Sequence, residues 1–353
     1  MTTTTEVTAT LPKHLQKYIV EQDYTRYTAR DHAVWRFILR QLKHFLSDNA
    51  HDSYLEGLEK TGIEIDRIPS ISDISAKIEK FGWRALPVSG FIPPAAFMEL
   101  QSLSVLPIAS DIRTLLHLEY TPAPDIVHEA AGHAPILVQP EFAAYLKHYA
   151  QVARKAIISK NDIETYRAIR NLSDLKEHPN SSSAQITAAE NQLNALSKST
   201  AEISEASILG RMNWWTAEYG LIGDLKNPKI FGAGLLSSLG ESRGCLSDKV
   251  KKMPLTLACI DFSYDITEQQ PQLFVTPNFA HLGLVLEELA NTMAFRRGGL
   301  ESLLKAIRAE TVNTIELDSG LQISGLFQTP ITDAMGEVIY YRTTGPSQLS
   351  YQD

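Results

Sequence analysis

Between Thr28 and Leu46, apolar side chains recur at Val34, Phe37, Ile38, Leu42, Phe45 and Leu46, with Arg36, Arg40 and Lys43 between them. Steps of three and four predict an amphipathic helix. Tyr54 to Leu58 reads as a second short helical piece. Ser70 and Asp73 then announce a helical run from Ile74 to Phe81, which Gly82 stops. Trp83 to Pro94 is rich in Pro and Gly and predicts a loop or short strand. Helical spacing returns at Phe97, Met98, Leu100 and Leu103, and again from Phe142 to Ile158. From about Ile163 to Ser207 the chain turns polar and is broken by His178 to Ser183, HPNSSS, which predicts an exposed helical hairpin. Aromatic density resumes at Ile208 to Ile222, read as a buried helix. A strand-like Phe274–Phe279, helices at Leu282–Phe295 and Leu300–Ala309, and alternating strand runs from Val312 onward complete the pattern.

The picture is therefore mainly α, and 353 residues suffice for a sizeable core. Thr-rich residues 1–12 are expected to be disordered. The net charge of −8 without a basic block argues against nucleic acid. No apolar run reaches the roughly 20 residues that a membrane helix requires, and the start lacks the features of a signal peptide. Two cysteines, Cys245 and Cys259, suit a reducing cytoplasm and exclude a cysteine metal cage.

Candidate chemistry concentrates in Tyr120 to Leu137, YTPAPDIVHEAAGHAPIL. Pro124 and Asp125 form a helix-start signal, placing His128 and Glu129 in the first turns. Gly132 followed by Pro135 marks where the helix ends or distorts. The zinc-protease signature needs His at i and i+4, yet here the second histidine, His133, stands at i+5. Five residues of straight helix put side chains roughly 140° apart, so both reach one ion only if the helix ends or bulges at Gly132. Two histidines with one distant carboxylate would suit the facial arrangement of non-haem Fe(II) chemistry. Two ordinary polar residues at a helix end are the plain alternative. Glu218, among the aromatics of NWWTAEYGL, must be paired, protonated or on a metal. In Phe231–Glu241, FGAGLLSSLGE, the glycines do not fit a dinucleotide loop. Gly232 and Gly234 suggest close backbone approach instead.

With PDIVHEAAGH, NWWTAEYGL and FGAGLLSSLGE in that order, the chain resembles the pterin-dependent aromatic amino acid hydroxylases. Asp31, His32, Trp35, Arg40 and Gln41 look like the family's N-terminal helix motif, and GWRALPVSGF, Gly82 to Phe91, looks like its pterin loop. The likeness covers about Tyr27 to Phe295. It implies His128, His133 and Glu218 as iron ligands and catalytic centre, and Arg113 as the clamp on the substrate carboxylate. Thr121, Pro124, Trp214 and Ser237 would line the substrate pocket, with Ile266 where tyrosine hydroxylases tend to carry an acid. Phe97 would stack on the pterin, the backbone at Phe91 and Ile92 would bond to its ring, and Glu129 would reach it through water. Asp125 would support the ligand histidines, or cap the helix, and Glu241 would orient Ser237.

The resemblance implies a catalytic domain over residues 13–311, with the hairpin of about 163–207 inserted; the alternating runs over 312–353 read, from the residues themselves, as a β-rich extension, with the start of a further domain left open. It implies no regulatory domain before the catalytic part, as in bacterial members. The activity implied is a monooxygenase using Fe(2+), tetrahydrobiopterin or a related tetrahydropterin, and O2. Phenylalanine giving tyrosine is the preferred substrate reading. Tryptophan 5-hydroxylation, phenylalanine 3-hydroxylation and, from another class, a zinc hydrolase with Glu129 as base are the rivals. The partners implied are a small-molecule aromatic amino acid as substrate and, because the pterin is consumed, pterin-recycling enzymes, in the cytoplasm. The sequence departs from the family pattern in three places. Glu218 stands 85 positions after His133, further than is usual, Pro107 replaces a histidine, and Asn213 stands where tyrosine is common. The strand-rich end does not match the family's tetramerisation helix, so the oligomeric state is not read from it.

Overall fold

The computed structural model describes residues 4–90, 92–118, 124–177, 180–197, 203–265 and 268–351. The chain forms two compact units, Met1–Arg154 with Arg211–Leu286, and Lys155–Gly210 with Glu287–Asp353. This division differs from the expected boundaries, because the hairpin groups with the C-terminal strands.

In the first unit, the Ala29–Asn49 helix begins with a capping box in which Thr28 and Asp31 bond reciprocally. Its apolar stripe (Val34, Trp35, Ile38, Leu39, Leu42, Leu46) is buried. The Ser53–Thr61 helix follows and ends on Gly62 at φ 73°. Ser70 caps Ile71–Ile78 by accepting from the Asp73 N–H. Arg84–Val88 and Val105–Ala109 pair as parallel strands, joined by the Pro94–Ser102 helix. The loop or short strand expected at Trp83–Pro94 thus includes a strand, Arg84–Val88. A four-stranded sheet orders Asn227–Ile230, Leu221–Asp224, Gln272–Thr276 and Lys251–Pro254.

One expectation is corrected outright. Residues 4–9 form a helix rather than a disordered stretch, and Val7 and Leu11 are buried with Leu15, Leu86, Val88 and Leu100. Burial of two apolar anchors offsets the ordering entropy that the Thr-rich composition alone would not.

In the second unit, Lys160–Glu177 and Ser183–Ser197 form the helical hairpin, with His178 and Pro179 of its loop outside the described residues. Its core joins Ile157, Leu303, Ala306, Ala309 and Phe327. Glu205 ties this unit together, accepting from the Ile157 and Ala294 N–H groups and from Lys305 Nζ. Asn313–Glu316, Leu321–Phe327 and Thr343–Tyr351 make an antiparallel sheet. No helix among the described residues is long and apolar enough to cross a membrane.

Candidate metal centre

The turn that carries both histidines is a π-helix, Val127–His133. Its i→i+5 hydrogen bonding widens the turn, so residues five apart come onto one face. The side chains of His128 and His133 converge, with their Nε2 atoms 3.2 Å apart. Glu218 reaches the same point from a second π-helix, Trp214–Glu218, which continues the Glu205–Asn213 helix. Glu218 Oε2 lies 3.3 Å from His128 Nε2, and Oε1 lies 3.3 Å from His133 Nε2. Among the described residues, these three form the group able to hold a metal, their donor atoms all within 4.8 Å of one another.

Glycines allow the two turns to meet. A Cβ on Gly232 would stand 2.4 Å from the Glu218 carbonyl oxygen, and one on Gly132 would stand 2.7 Å from that of Ala233. Close approach at Gly232 and Gly234 is therefore a packing requirement between the Ala233–Ser237 helix and the Glu218 turn. On the other side, buried Tyr54 donates to the Ala131 carbonyl at 3.0 Å, bracing the histidine turn. Tyr145 meets Thr216 Oγ1 at 2.8 Å and braces the second turn. Nothing in the periodicity marks Tyr54 or Tyr145 for this work.

The polar atoms fit a cation. Ser237 Oγ donates to the Ala233 carbonyl at 2.7 Å and lies 3.0 Å from His128 Nδ1. With its own proton committed, Ser237 accepts from Nδ1–H, which leaves the His128 Nε2 lone pair free to ligate. Burial would raise the Glu218 carboxyl, but His133 and His128 hold it well below the usual carboxylate range. Two imidazole nitrogens and one carboxylate, all on one side, leave open positions of the kind non-haem iron uses. His128 and Glu218 keep 16% and 17% of their side chains exposed, against 3% for His133, so one side of the centre is open. Asn213 Nδ2 donates to Glu218 Oε1 at 3.4 Å.

Asp125 does two jobs. Its Oδ1 accepts the His128 N–H at 3.1 Å, as an N-cap carboxylate does, and both oxygens grip Arg113 at 2.7 and 2.8 Å. Burial opposes ionisation of Asp125, yet the Arg113 charge and hydrogen bonds hold its carboxyl below the usual range. Arg113 Nη1 also donates to the Ser237 carbonyl at 3.2 Å. One N–H on each of Nη1 and Nη2 lies outside these bonds.

Glu129 is buried, its Oε2 without a hydrogen-bond partner among the described residues and 3.9 Å from His133 Nε2. Burial pushes its carboxyl up to about 8 despite His133. Trp214 opens the second π turn, half-buried, with its Nε1 unpartnered among the described residues. Pro124 is half-buried just before the histidine turn. Ile92 and Phe97 pack in the cluster of Leu86, Val88 and Leu100. Phe91, Thr121 and Ile266 lie outside the described residues. Ser237 is held by Ala233, His128 and Arg113, and Glu241 bonds through its N–H to the Oγ of the neighbouring Ser238, while Glu241 Oε1 is buried without a partner among the described residues.

A family model for biopterin-dependent aromatic amino acid hydroxylases matches residues 11–167 and 180–297, passing over part of the hairpin. The phenylalanine-4-hydroxylase of Mesorhizobium japonicum is 31% identical over 74% of this chain and 80% of its own length. That of Chromobacterium violaceum is 27% identical over 81% of this chain and 86% of its own. A crystal structure of the Chromobacterium violaceum enzyme with bound iron(III) and 7,8-dihydrobiopterin aligns with a TM-score of 0.61 at 26% identity, covering 83% of this chain and 92% of that one. With the two ligand-bearing π turns and a match that spans most of its length, the chain belongs to the biopterin-dependent aromatic amino acid hydroxylases.

Proposed function

We propose that the protein hydroxylates L-phenylalanine to L-tyrosine, with ferrous iron on His128, His133 and Glu218 and a tetrahydropterin as electron donor. The observation that carries the reading is that Asp125 and Ser237 each bond both to His128 and to Arg113. A metal ligand and a guanidinium suited to an amino acid's carboxylate are thereby held in one network. When bound, iron and pterin together supply the activation of O2. The protein's own part is to place the ring and exclude competing arrangements.

Arg113 would take the carboxylate with the N–H groups that lie outside its bonds to the described residues, a pairing that a planar guanidinium makes bidentate. Thr121, Pro124, Trp214, Ser237 and Ile266 would surround the ring. Phe91, Ile92, Phe97 and Glu129 would face the pterin. Glu129, buried with its Oε2 lacking a hydrogen-bond partner among the described residues, would reach the pterin through water. The relatives' names support phenylalanine over the tryptophan and meta-hydroxylation readings, and the family match leaves the zinc hydrolase without support. A cytoplasmic setting and enzymes that regenerate the pterin belong to the same reading.

The test is turnover of the iron-loaded protein with tetrahydropterin and O2, offering phenylalanine, tyrosine and tryptophan separately. Para-tyrosine as the dominant product is expected. Meta-tyrosine or hydroxytryptophan as the dominant product would overturn the substrate assignment and keep the family chemistry.

A further inference from the structure

Alternate residues of the segment 260–264 dock on the helix that leads to Glu218. Arg211 Nη1 donates to the Ile260 carbonyl at 2.9 Å, and Trp215 Nε1 donates to that of Phe262 at 3.0 Å. The third point of attachment is a ring: Tyr264 stacks on Trp214 with centroids 4.2 Å apart and planes 10° apart. It also meets Trp215 edge-on at 6.3 Å. The opposite face of Trp214 carries Tyr219, with centroids 4.4 Å apart and planes 22° apart. Trp214 is thus clamped between two tyrosines, one from its own turn and one from the docked segment.

Two consequences follow. With both faces covered, the indole can border a bound ring only with its edge. Its orientation depends on Tyr264, because Tyr219 contacts one face alone and a single stacked partner leaves the ring free to tilt. Tyr264 is itself 38% exposed, so it closes the stack from an open side and not from the core.

We infer that Tyr264 is a specificity-determining positioning residue: by holding Trp214 edge-on, it sizes the aromatic pocket for a single six-membered ring and against an indole. This deepens the assignment of phenylalanine and rests on it. Removing the phenol frees one face of Trp214 and opens the volume of a ring beside it. Substituting phenylalanine keeps the stack and removes only the hydroxyl.

The experiment compares wild type, Tyr264→Phe and Tyr264→Ala, all iron-loaded, measuring kcat and KM for phenylalanine and for tryptophan at saturating tetrahydropterin. Tyr264→Ala is expected to lower the phenylalanine-to-tryptophan ratio of kcat/KM at least tenfold, chiefly through KM for phenylalanine. Iron content and the pterin KM should stay within twofold of wild type. Tyr264→Phe should keep the ratio within twofold. An unchanged ratio in Tyr264→Ala, or a Tyr264→Phe variant as impaired as Tyr264→Ala, would overturn the inference. A readout without turnover is the near-UV circular dichroism of the metal-free protein. The stacked rings should give a band lost in Tyr264→Ala and in Trp214→Phe but kept in Tyr264→Phe. A band indifferent to Tyr264→Ala would remove the holding role. Wild-type protein that turns over none of the amino acids would instead contradict the phenylalanine assignment, and the dichroism would still decide the stack.

Discussion

Ser237 Oγ lies 3.0 Å from His128 Nδ1 and donates its own proton elsewhere, to the Ala233 carbonyl at 2.7 Å. The hydroxyl therefore selects the tautomer that frees His128 Nε2 for a metal. Ser237→Ala should keep the fold and weaken Fe(II) affinity by about 10–100-fold, the usual cost of losing such a partner. Chelator competition measures it. Unchanged affinity would mean that the tautomer is set by something else.

The buried Arg113–Asp125 pair has side chains 1% and 5% exposed. Removing one partner strands the other charge, which costs about 3–5 kcal/mol in a buried pair. Asp125→Asn should therefore lower unfolding stability by up to about that amount and raise KM for phenylalanine far more than for pterin. Equal changes in both KM values would argue that Arg113 is purely structural.

Gly232 has no room for a methyl group, since its nearest neighbours are the Glu218 carbonyl oxygen and the Gly220 nitrogen, both backbone. Gly232→Ala should cost about 1–3 kcal/mol of stability and displace Glu218, with loss of iron. Gly283, in the Phe279–Ala290 helix, meets nothing within 4 Å at a built Cβ. Gly283→Ala should be neutral or stabilising by up to about 1 kcal/mol. Denaturant titration of the two variants separates a packing constraint from a general helix effect.

Burial pushes the Glu241 carboxyl from 4.5 up to about 7. A raised folded value means that the contribution to stability is complete below pH 4.5 and lost as pH rises through about 7. Wild type should thus lose about 1–3 kcal/mol across that window relative to Glu241→Gln. Unfolding of the two proteins measured at pH 5 and pH 8 tests this. A difference that does not change with pH would show that Glu241 ionises freely.

The spacing of His128 and His133 already demanded a bulge, and the π turn at Val127–His133 supplies it. The second π turn at Trp214–Glu218 was not legible, because a buried aromatic helix looks the same in sequence whether its bonds run to i+4 or i+5. Val105–Ala109 is hidden in the sequence for a related reason. A five-residue apolar run containing Pro107 has no period, and its partner strand lies across an intervening helix. Leu221–Asp224 and Lys251–Pro254 likewise take their places through pairing with Gln272–Thr276, far along the chain. The close approach at Gly232 and Gly234 was readable, since only glycine tolerates it. The partners of Ser237 were not, because a hydroxyl's bonds depend on which elements the fold brings to it.

In the proposed centre, His128, His133 and Glu218 together hold one metal ion. Anaerobic Fe(II) titration of wild type, His133→Ala and Glu218→Ala, with iron counted per chain after gel filtration, tests it most directly. Stoichiometric iron in wild type and little or none in either variant, with circular dichroism unchanged, is the predicted result. Retention of wild-type iron by either variant would contradict the assigned centre.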